Sequence, residues 1–252
     1  MPKKSQISFF LMFGAVAFII VIFIQYISSN NPKADSLKKA KVESVAETPF
    51  LIEPIRLDLD LCVQRSAKEG LRHIGLHGGY YNVAEPKVDY FGEDIPYYAY
   101  GGADKVPSAN EIERQLSAYV VENLPICFES LGFEGVKIDG KIQSVSTLIG
   151  VESVLVNVNY PLEVGIADKN TKLSSFRAEI PAGIYKIHNM ASNISRDVLE
   201  SSAICLDCLM DLADYYDVFI DVQIFGDSAV FTIFDNATKL DDYEYMFSFA
   251  VD

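Results

Sequence analysis

The sequence lacks the motifs that mark the common catalytic classes. No serine stands in a nucleophile-elbow pattern and no glycine-rich phosphate loop follows a strand-like run. Neither hydrolase-type acyl transfer nor phosphate-loop nucleotide chemistry is therefore written in it. Basic charge is scarce as well: 21 Lys and Arg stand against 35 Asp and Glu, for a formal net charge of −14. Residues 1 to 50 hold Lys3, Lys4, Lys33, Lys38, Lys39 and Lys41 against Asp35, Glu43 and Glu47, a net of +3 that leaves −17 on the remainder. So acidic a body repels phosphate backbones and anionic lipid heads, which argues against nucleic acid as a partner.

Charge is missing altogether from residues 5 to 32, SQISFFLMFGAVAFIIVIFIQYISSNNP. The apolar core runs from Ile7 to Ile27, and at about 1.5 Å per residue it matches a hydrocarbon layer of roughly 30 Å. A secretory signal peptide has a shorter apolar region and a small-residue cleavage site after it. Here Gln25, Tyr26 and Ile27 run into Ser-Ser-Asn-Asn-Pro with no good Ala-x-Ala site, so residues 1–28 read as a retained transmembrane anchor held by membrane lipid. Lysines lie on both sides of the span, so their count hardly orients it. The even cysteine count and two glycosylation acceptor patterns, at Asn193 (Asn193-Ile194-Ser195) and Asn236 (Asn236-Ala237-Thr238), place the body outside the cell membrane.

Residues 29–53 read as a linker, charged and poor in aromatics, and residues 54–252 as an ectodomain with a helix-hairpin-helix part (54–130) and a sheet-rich part (131–252). In the first part, Ile55, Leu59, Val63, Ala67 and Ile74 fall at helical spacing up to Gly78-Gly79, a left-handed cap. Tyr80 to Val83 and Ile95 to Tyr100 are expected to pair as a hairpin around a polar loop at 84–94. Ser108 and Glu111 form a capping box that opens a second helix, with Pro125 ending or kinking it. In the second part, Val154, Val156, Val158, Tyr160, Leu162, Val164 and Ile166 all occupy even positions, a long strand with one wet face. Strands near 133–138, 142–149 and 173–180 flank it in a meandering antiparallel sheet. A helix over 184–198 is expected on one side of that sheet, then a short helix at 203–214 and strands near 217–225, 228–235 and 243–250. Helices and strands are segregated, so the class is α+β: a transmembrane helix, then an ectodomain of antiparallel sheet with packed helices.

Three constellations carry possible chemistry. Tyr80, Tyr81, Tyr90, Phe91, Tyr97, Tyr98 and Tyr100 crowd one stretch. They suit half-buried strands, and equally a binding surface for a protein or glycan, since rigid aromatics with a hydroxyl give contact area at little entropic cost. Glu69, His73 and His77 repeat every four residues along one helical stripe that a metal could use. The order differs from the metalloprotease signature, and histidines in a last turn are favoured by the helix dipole alone. Cys205-Leu206-Asp207-Cys208 fits a local disulfide, half of a metal site, or a redox pair, though no strand-like run precedes it as in thioredoxin-type sites. Placing the cysteines on neighbouring elements favours Cys62 with Cys127 and Cys205 with Cys208. None of these patterns asks for a cofactor.

Two stretches resemble known proteins. Lys3-Lys4-Ser5-Gln6-Ile7-Ser8 before the span resembles the class III signal of archaeal type IV pilins, which implies cleavage between Ser5 and Gln6 with the apolar helix retained. Glu69-Gly70-Leu71-x-x-Ile74-Gly75-Leu76-x-Gly78-Gly79-Tyr80, with Pro107-Ser108 and Glu113-x-Gln115-Leu116, is similar to a set of uncharacterised single-span proteins of small-genome archaea. Pilins carry Glu at the fifth position after cleavage, and this chain has Phe10 there. That carboxylate neutralises a buried terminal amine in the filament, so a tethered extracellular protein is expected rather than a filament subunit. The alternative is a membrane-tethered enzyme or thiol oxidoreductase using Cys205 and Cys208, or a metal at Glu69, His73 and His77.

Overall fold

Helix α1 (Thr48–Leu76) forms because its apolar residues recur every three to four positions: Ile55, Leu59, Val63, Ala67, Leu71 and Ile74 are all buried. The structure, a computed structural model, describes residues 48–132, 136–166 and 169–252, with Ile55–Asp252 forming one compact unit. The uncharged stretch 5–32 and the processing position at Ser5 and Gln6 lie outside the described residues. Among the described residues no helix is long and apolar enough to cross a membrane. α1 stops where Gly78 turns left-handed, at φ 53°, and the Gly79 N–H reaches back to the Ile74 carbonyl at 2.6 Å. The bond closes a Schellman cap on the orphan carbonyls of the last turn.

The hairpin that follows differs from the expected one. Strand β1 is Lys87–Tyr90 and pairs with β2 (Glu93–Tyr100) across the two-residue turn Phe91-Gly92, inside the stretch read as a loop. Both turn residues have positive φ, 55° and 87°, the geometry of a type I′ turn that Asn-Gly usually marks. Phe at the first position hid it. Tyr80 to Val83 belong to no strand and are held by helices instead: the Tyr81 N–H donates to the Gln115 side chain at 2.9 Å.

After β3 (Ala103–Asp104) comes α2 (Ala109–Ser130), where Ser108 caps the Glu111 N–H at 3.2 Å. The helix runs through Pro125 rather than stopping there. Ile112, Leu116, Val120, Leu124 and Phe128 are buried on both sides of the proline, and their packing outweighs one lost hydrogen bond. α1 and α2 meet at Gly70, where a Cβ would lie 2.7 Å from Leu116 Cδ1 and 2.8 Å from Tyr119 Cδ1.

Two sheets follow, and the first is the antiparallel sheet expected around residues 154–166. In the first, β6 (Ser153–Ile166) is central. β7 (Lys169–Pro181) runs along one side, and β4 (Val136–Gly140) and β5 (Ser144–Ile149) share the other end to end, all antiparallel. Val154, Val156, Val158, Tyr160, Leu162 and Val164 are buried while Asn157, Asn159 and Glu163 are exposed, the parity read from the sequence. Phe128 of α2 stacks on Tyr160 at 5.2 Å between ring centres and meets Phe176 edge-on, which seats α2 over this sheet.

The second sheet has the order β1, β2, β10 (Tyr243–Val251), β9 (Ser228–Leu240), β8 (Phe219–Phe225), with β3 beside β2. Its β2–β10 pair is parallel, so the sheet is mixed and joins the two parts that the sequence reading divided at 130. Helix α3 (Ile184–Ser201) packs on β2, β3 and β10 of this second sheet, not on the first as expected, and α4 (Leu206–Tyr216) packs on β8. Phe231, Phe249 and Tyr98 stack in series at 5.1 and 4.8 Å, and the Tyr98 hydroxyl donates to the Gly78 carbonyl at 2.9 Å. The core of the second sheet is thereby tied to the cap of α1. The class is α+β.

Candidate functional site

Where α1, α2 and β2 meet, rings gather. His73 and His77 face each other at 4.3 Å, His73 lies 5.5 Å from both Tyr81 and Tyr119, and those two tyrosines meet edge-on at 5.2 Å. Every imidazole nitrogen for which a partner is known faces an oxygen. His73 Nε2 donates to the Tyr81 carbonyl at 2.9 Å, and His77 Nδ1 donates to the His73 carbonyl at 2.7 Å. His77 Nε2 lies 3.1 Å from a Glu93 carboxylate oxygen. Burial pushes the His73 pKa below its ordinary 6.5, the Tyr81 carbonyl and Glu93 opposing the shift in part. Burial also raises the phenols of Tyr80, Tyr81 and Tyr119, so these stay neutral.

The cluster is built to hold a junction. The Glu69, His73, His77 stripe is not assembled as a site: among the described residues no three His, Cys, Asp or Glu side chains come together to hold a metal ion. The carboxylate that does meet an imidazole comes from β2, Glu93, which no sequence period connects to α1.

The tyrosine-rich stretch divides by depth. Tyr98 is fully buried, and Tyr80, Tyr81, Tyr90 and Tyr97 are half-buried. Tyr97 donates to or accepts from Ser228 Oγ at 2.7 Å and stands 4.7 Å from the exposed Tyr100. At the hairpin tip Phe91 is 88 % exposed, with Tyr90 at 4.7 Å, and Tyr90 in turn meets Phe225 at 5.9 Å. A bulky residue in the left-handed region costs about 1–2 kcal/mol, so the turn holds an apolar ring in water against two preferences at once.

All four cysteines are paired. Cys62–Cys127 joins α1 to the end of α2, and Cys205–Cys208 closes the start of α4. Cys62 is buried, as befits a staple. Cys205 and Cys208 are both exposed; Cys205 is the N-cap of α4, and its sulfur accepts from the Cys208 N–H at 3.2 Å. Ser202, Ala203 and Ile204, just before it, line an open cleft of about 480 Å³ with Ser228 and Asp252. At the two glycosylation patterns Asn193 and Asn236 are exposed, while the hydroxyl partners Ser195 and Thr238 are buried.

One polar centre escaped the sequence reading. Asp235 is 1 % exposed, yet its Oδ2 accepts from Thr238 at 2.7 Å, and its Oδ1 lies 3.3 Å from both Lys186 Nζ and the Ala237 N–H. Lys186 also donates to the Tyr216 carbonyl at 3.2 Å, joining α3, the end of α4 and β9. The ladder between β9 and β10 shifts register between Glu244 and Tyr245, so residues 236 to 238 bulge and bring Thr238 back onto Asp235. These residues line a cleft of about 520 Å³ with Tyr185 and Asn189. Across the ladder Tyr245 is fully buried, and burial, reinforced by the Asp235 carboxylate, holds its phenol well above the ordinary range. The parity Ala229, Phe231, Ile233, Asp235 put a carboxylate on the inward face of a strand, a signal present in the sequence. No protein-family model, no curated protein and no solved structure matches the chain.

Proposed function

We propose that the chain is a single-pass protein of the archaeal cell surface, pilin-like in its targeting, whose acidic α+β body stands outside the membrane and binds a protein or glycan. The observation that carries the reading is the closure of all four cysteines into disulfides, a state kept in oxidising compartments, in a chain that also holds a charge-free stretch of spanning length. Contact falls to the hairpin tip, where Phe91 and Phe225 expose rings that a folded body otherwise hides, with half-buried Tyr90 between them. A photoactivatable phenylalanine at position 91, in the full chain on intact cells, is expected to label a surface protein or glycan. The same group at exposed Val151 is expected to label little. Equal labelling from both positions contradicts the assignment.

A second reading, thiol–disulfide exchange, is favoured by the exposure of Cys205–Cys208 at a helix start beside a cleft. Asp207 in the first turn opposes it, because a nearby carboxylate disfavours the thiolate that exchange requires. Dithiol oxidation by the full chain that disappears in Cys205→Ser favours this reading; an inert disulfide favours the first.

A further inference from the structure

Among the described residues, strand β8 ends its sheet, bonded to β9 on one side only. Natural proteins blunt such an edge with lysine, proline, a bulge or a short strand. β8 uses none of these. Its seven residues, Phe219-Ile220-Asp221-Val222-Gln223-Ile224-Phe225, hold one charge, and the ladder with β9 is unbroken from Phe219↔Phe234 to Phe225↔Ser228. No residue of it is fully buried: Phe219 is 58 %, Ile224 69 % and Phe225 50 % exposed.

The strand also reads almost the same in both directions about Val222. Phenylalanine stands three places away on each side, isoleucine two, and an Asp and a Gln one. A two-fold axis through an antiparallel pair sets each residue against its mirror position, so this order places apolar against apolar and a carboxylate against an amide. We propose that β8 is a self-pairing edge: two copies of the chain join antiparallel about Val222, continuing one sheet across a two-fold axis.

The backbone parity agrees. The two-residue turn Gly226-Asp227 closes on Phe225 and Ser228, so odd-numbered residues of β8 exchange bonds with β9, and the N–H and C=O groups of Ile220, Val222 and Ile224 face the open side. Centring on Val222 pairs those groups with their own counterparts, Val222 with Val222 and Ile220 with Ile224. Moving the axis from Val222 to Asp221, a register slip of two residues, sets Asp221 against Asp221 and leaves Ile224 and Phe225 without partners in the strand. Gln223 already donates to both oxygens of Asp221 at 3.1 Å within one chain, so the amide is a suitable donor to the carboxylate it meets across the axis. A seven-residue ladder alone is a weak interface. α4, packed on β8, adds Leu206, Met210 and Tyr215, exposed by 64 %, 68 % and 81 %. Salt should strengthen the pair, since two chains of net −14 repel at low ionic strength.

The test uses the full chain in detergent, with particle mass from sedimentation and register from cysteine cross-linking. The native chain is expected at two copies per particle, more so at higher salt. Gln223→Glu sets carboxylates against each other twice across the axis and is expected to halve the mass with an unchanged circular dichroism spectrum; Gln223→Lys, facing Asp221, is expected to raise the dimer fraction. Asp221→Cys and Gln223→Cys chains are expected to cross-link when mixed and not when separate. One copy per particle at every concentration and salt overturns the proposal. So does a native mass retained by Gln223→Glu, or cross-linking of Asp221→Cys with itself as fast as in the mixture.

Discussion

His188 on α3 donates its Nε2–H to the carbonyl oxygen of Pro107 at 2.7 Å, fastening a helix of the second sheet to the residue just before the cap of α2. A carbonyl only accepts, so this nitrogen carries the proton. Burial holds the ring's pKa below 6.5 against the opposing effect of that bond, and His73 is shifted the same way. Above about pH 7.5 both rings are neutral whether the chain is folded or not. Below it the unfolded chain takes up protons that the buried rings resist, so stability falls as the pH drops toward 5. His188→Gln keeps a donor for Pro107 and removes the titration. Chemical denaturation at about pH 7.5 and pH 5 is expected to show a smaller pH loss in this variant; an unchanged loss would assign the dependence elsewhere.

Two helix glycines separate two costs. At Gly75 a Cβ would fall on the Met246 carbonyl oxygen and lie 2.9 Å from Tyr245 Cε2, and a strand backbone does not yield. At Gly70 the nearest atoms are side-chain carbons of Leu116 and Tyr119, which can turn aside. Alanine gains up to about 1 kcal/mol of helix propensity at either site. Gly75→Ala is therefore expected to lose about 2–3 kcal/mol net, and Gly70→Ala less than about 1 kcal/mol, by denaturant midpoint. Equal losses would mean that α1 does not rest on β10 through Gly75.

The disulfides should differ in weight. Cys62–Cys127 closes a separation of 65 residues, for which chain entropy gives about 4 kcal/mol, whereas Cys205–Cys208 closes a separation of 3, for about 2 kcal/mol. Replacing each pair by alanine and measuring unfolding under non-reducing conditions tests the order. Non-reducing peptide maps should show these two linkages; a Cys62–Cys205 peptide would contradict the fold itself.

Asp235 is the buried charge with most to lose. Lys186→Met leaves the Asp235 carboxylate, 1 % exposed, without its counter-charge and is expected to cost about 3–5 kcal/mol, as breaking a buried pair does. Asp235→Ala takes one acceptor from Thr238 and leaves Lys186 partly exposed with the Tyr216 carbonyl, and should cost less. A larger loss from Asp235→Ala would place the weight of the network on the Thr238 and Ala237 hydrogen bonds instead.

Much of this architecture is local and was therefore legible. Even-numbered residues of β6, the Ser108 cap and the Gly78-Gly79 stop each depend on neighbours within a few positions. The cysteine pairing followed from element order, since α1 and α2 are consecutive helices. What stayed hidden is non-local or chemically atypical. The parallel β2–β10 pair joins Ala99 to Val251, and no period reports a contact of that separation. Phe91 replaced the usual Asn of its turn, so β1 was read as loop. His77 met Glu93 rather than Glu69 because β2 passes the helix end. Asp235 lay on the inward parity of β9, but the bulge that brings Thr238 to it appears only in the ladder.

Protease added to intact cells tests the central claim most directly. If the uncharged segment anchors the chain and the acidic body lies outside, the body is expected to be removed or clipped while cytoplasmic markers survive, with folded core peptides still joined by Cys62–Cys127 after cleavage. A body that stays protected until the membrane is opened, with its cysteines reduced, would contradict both the topology and the surface function built on it.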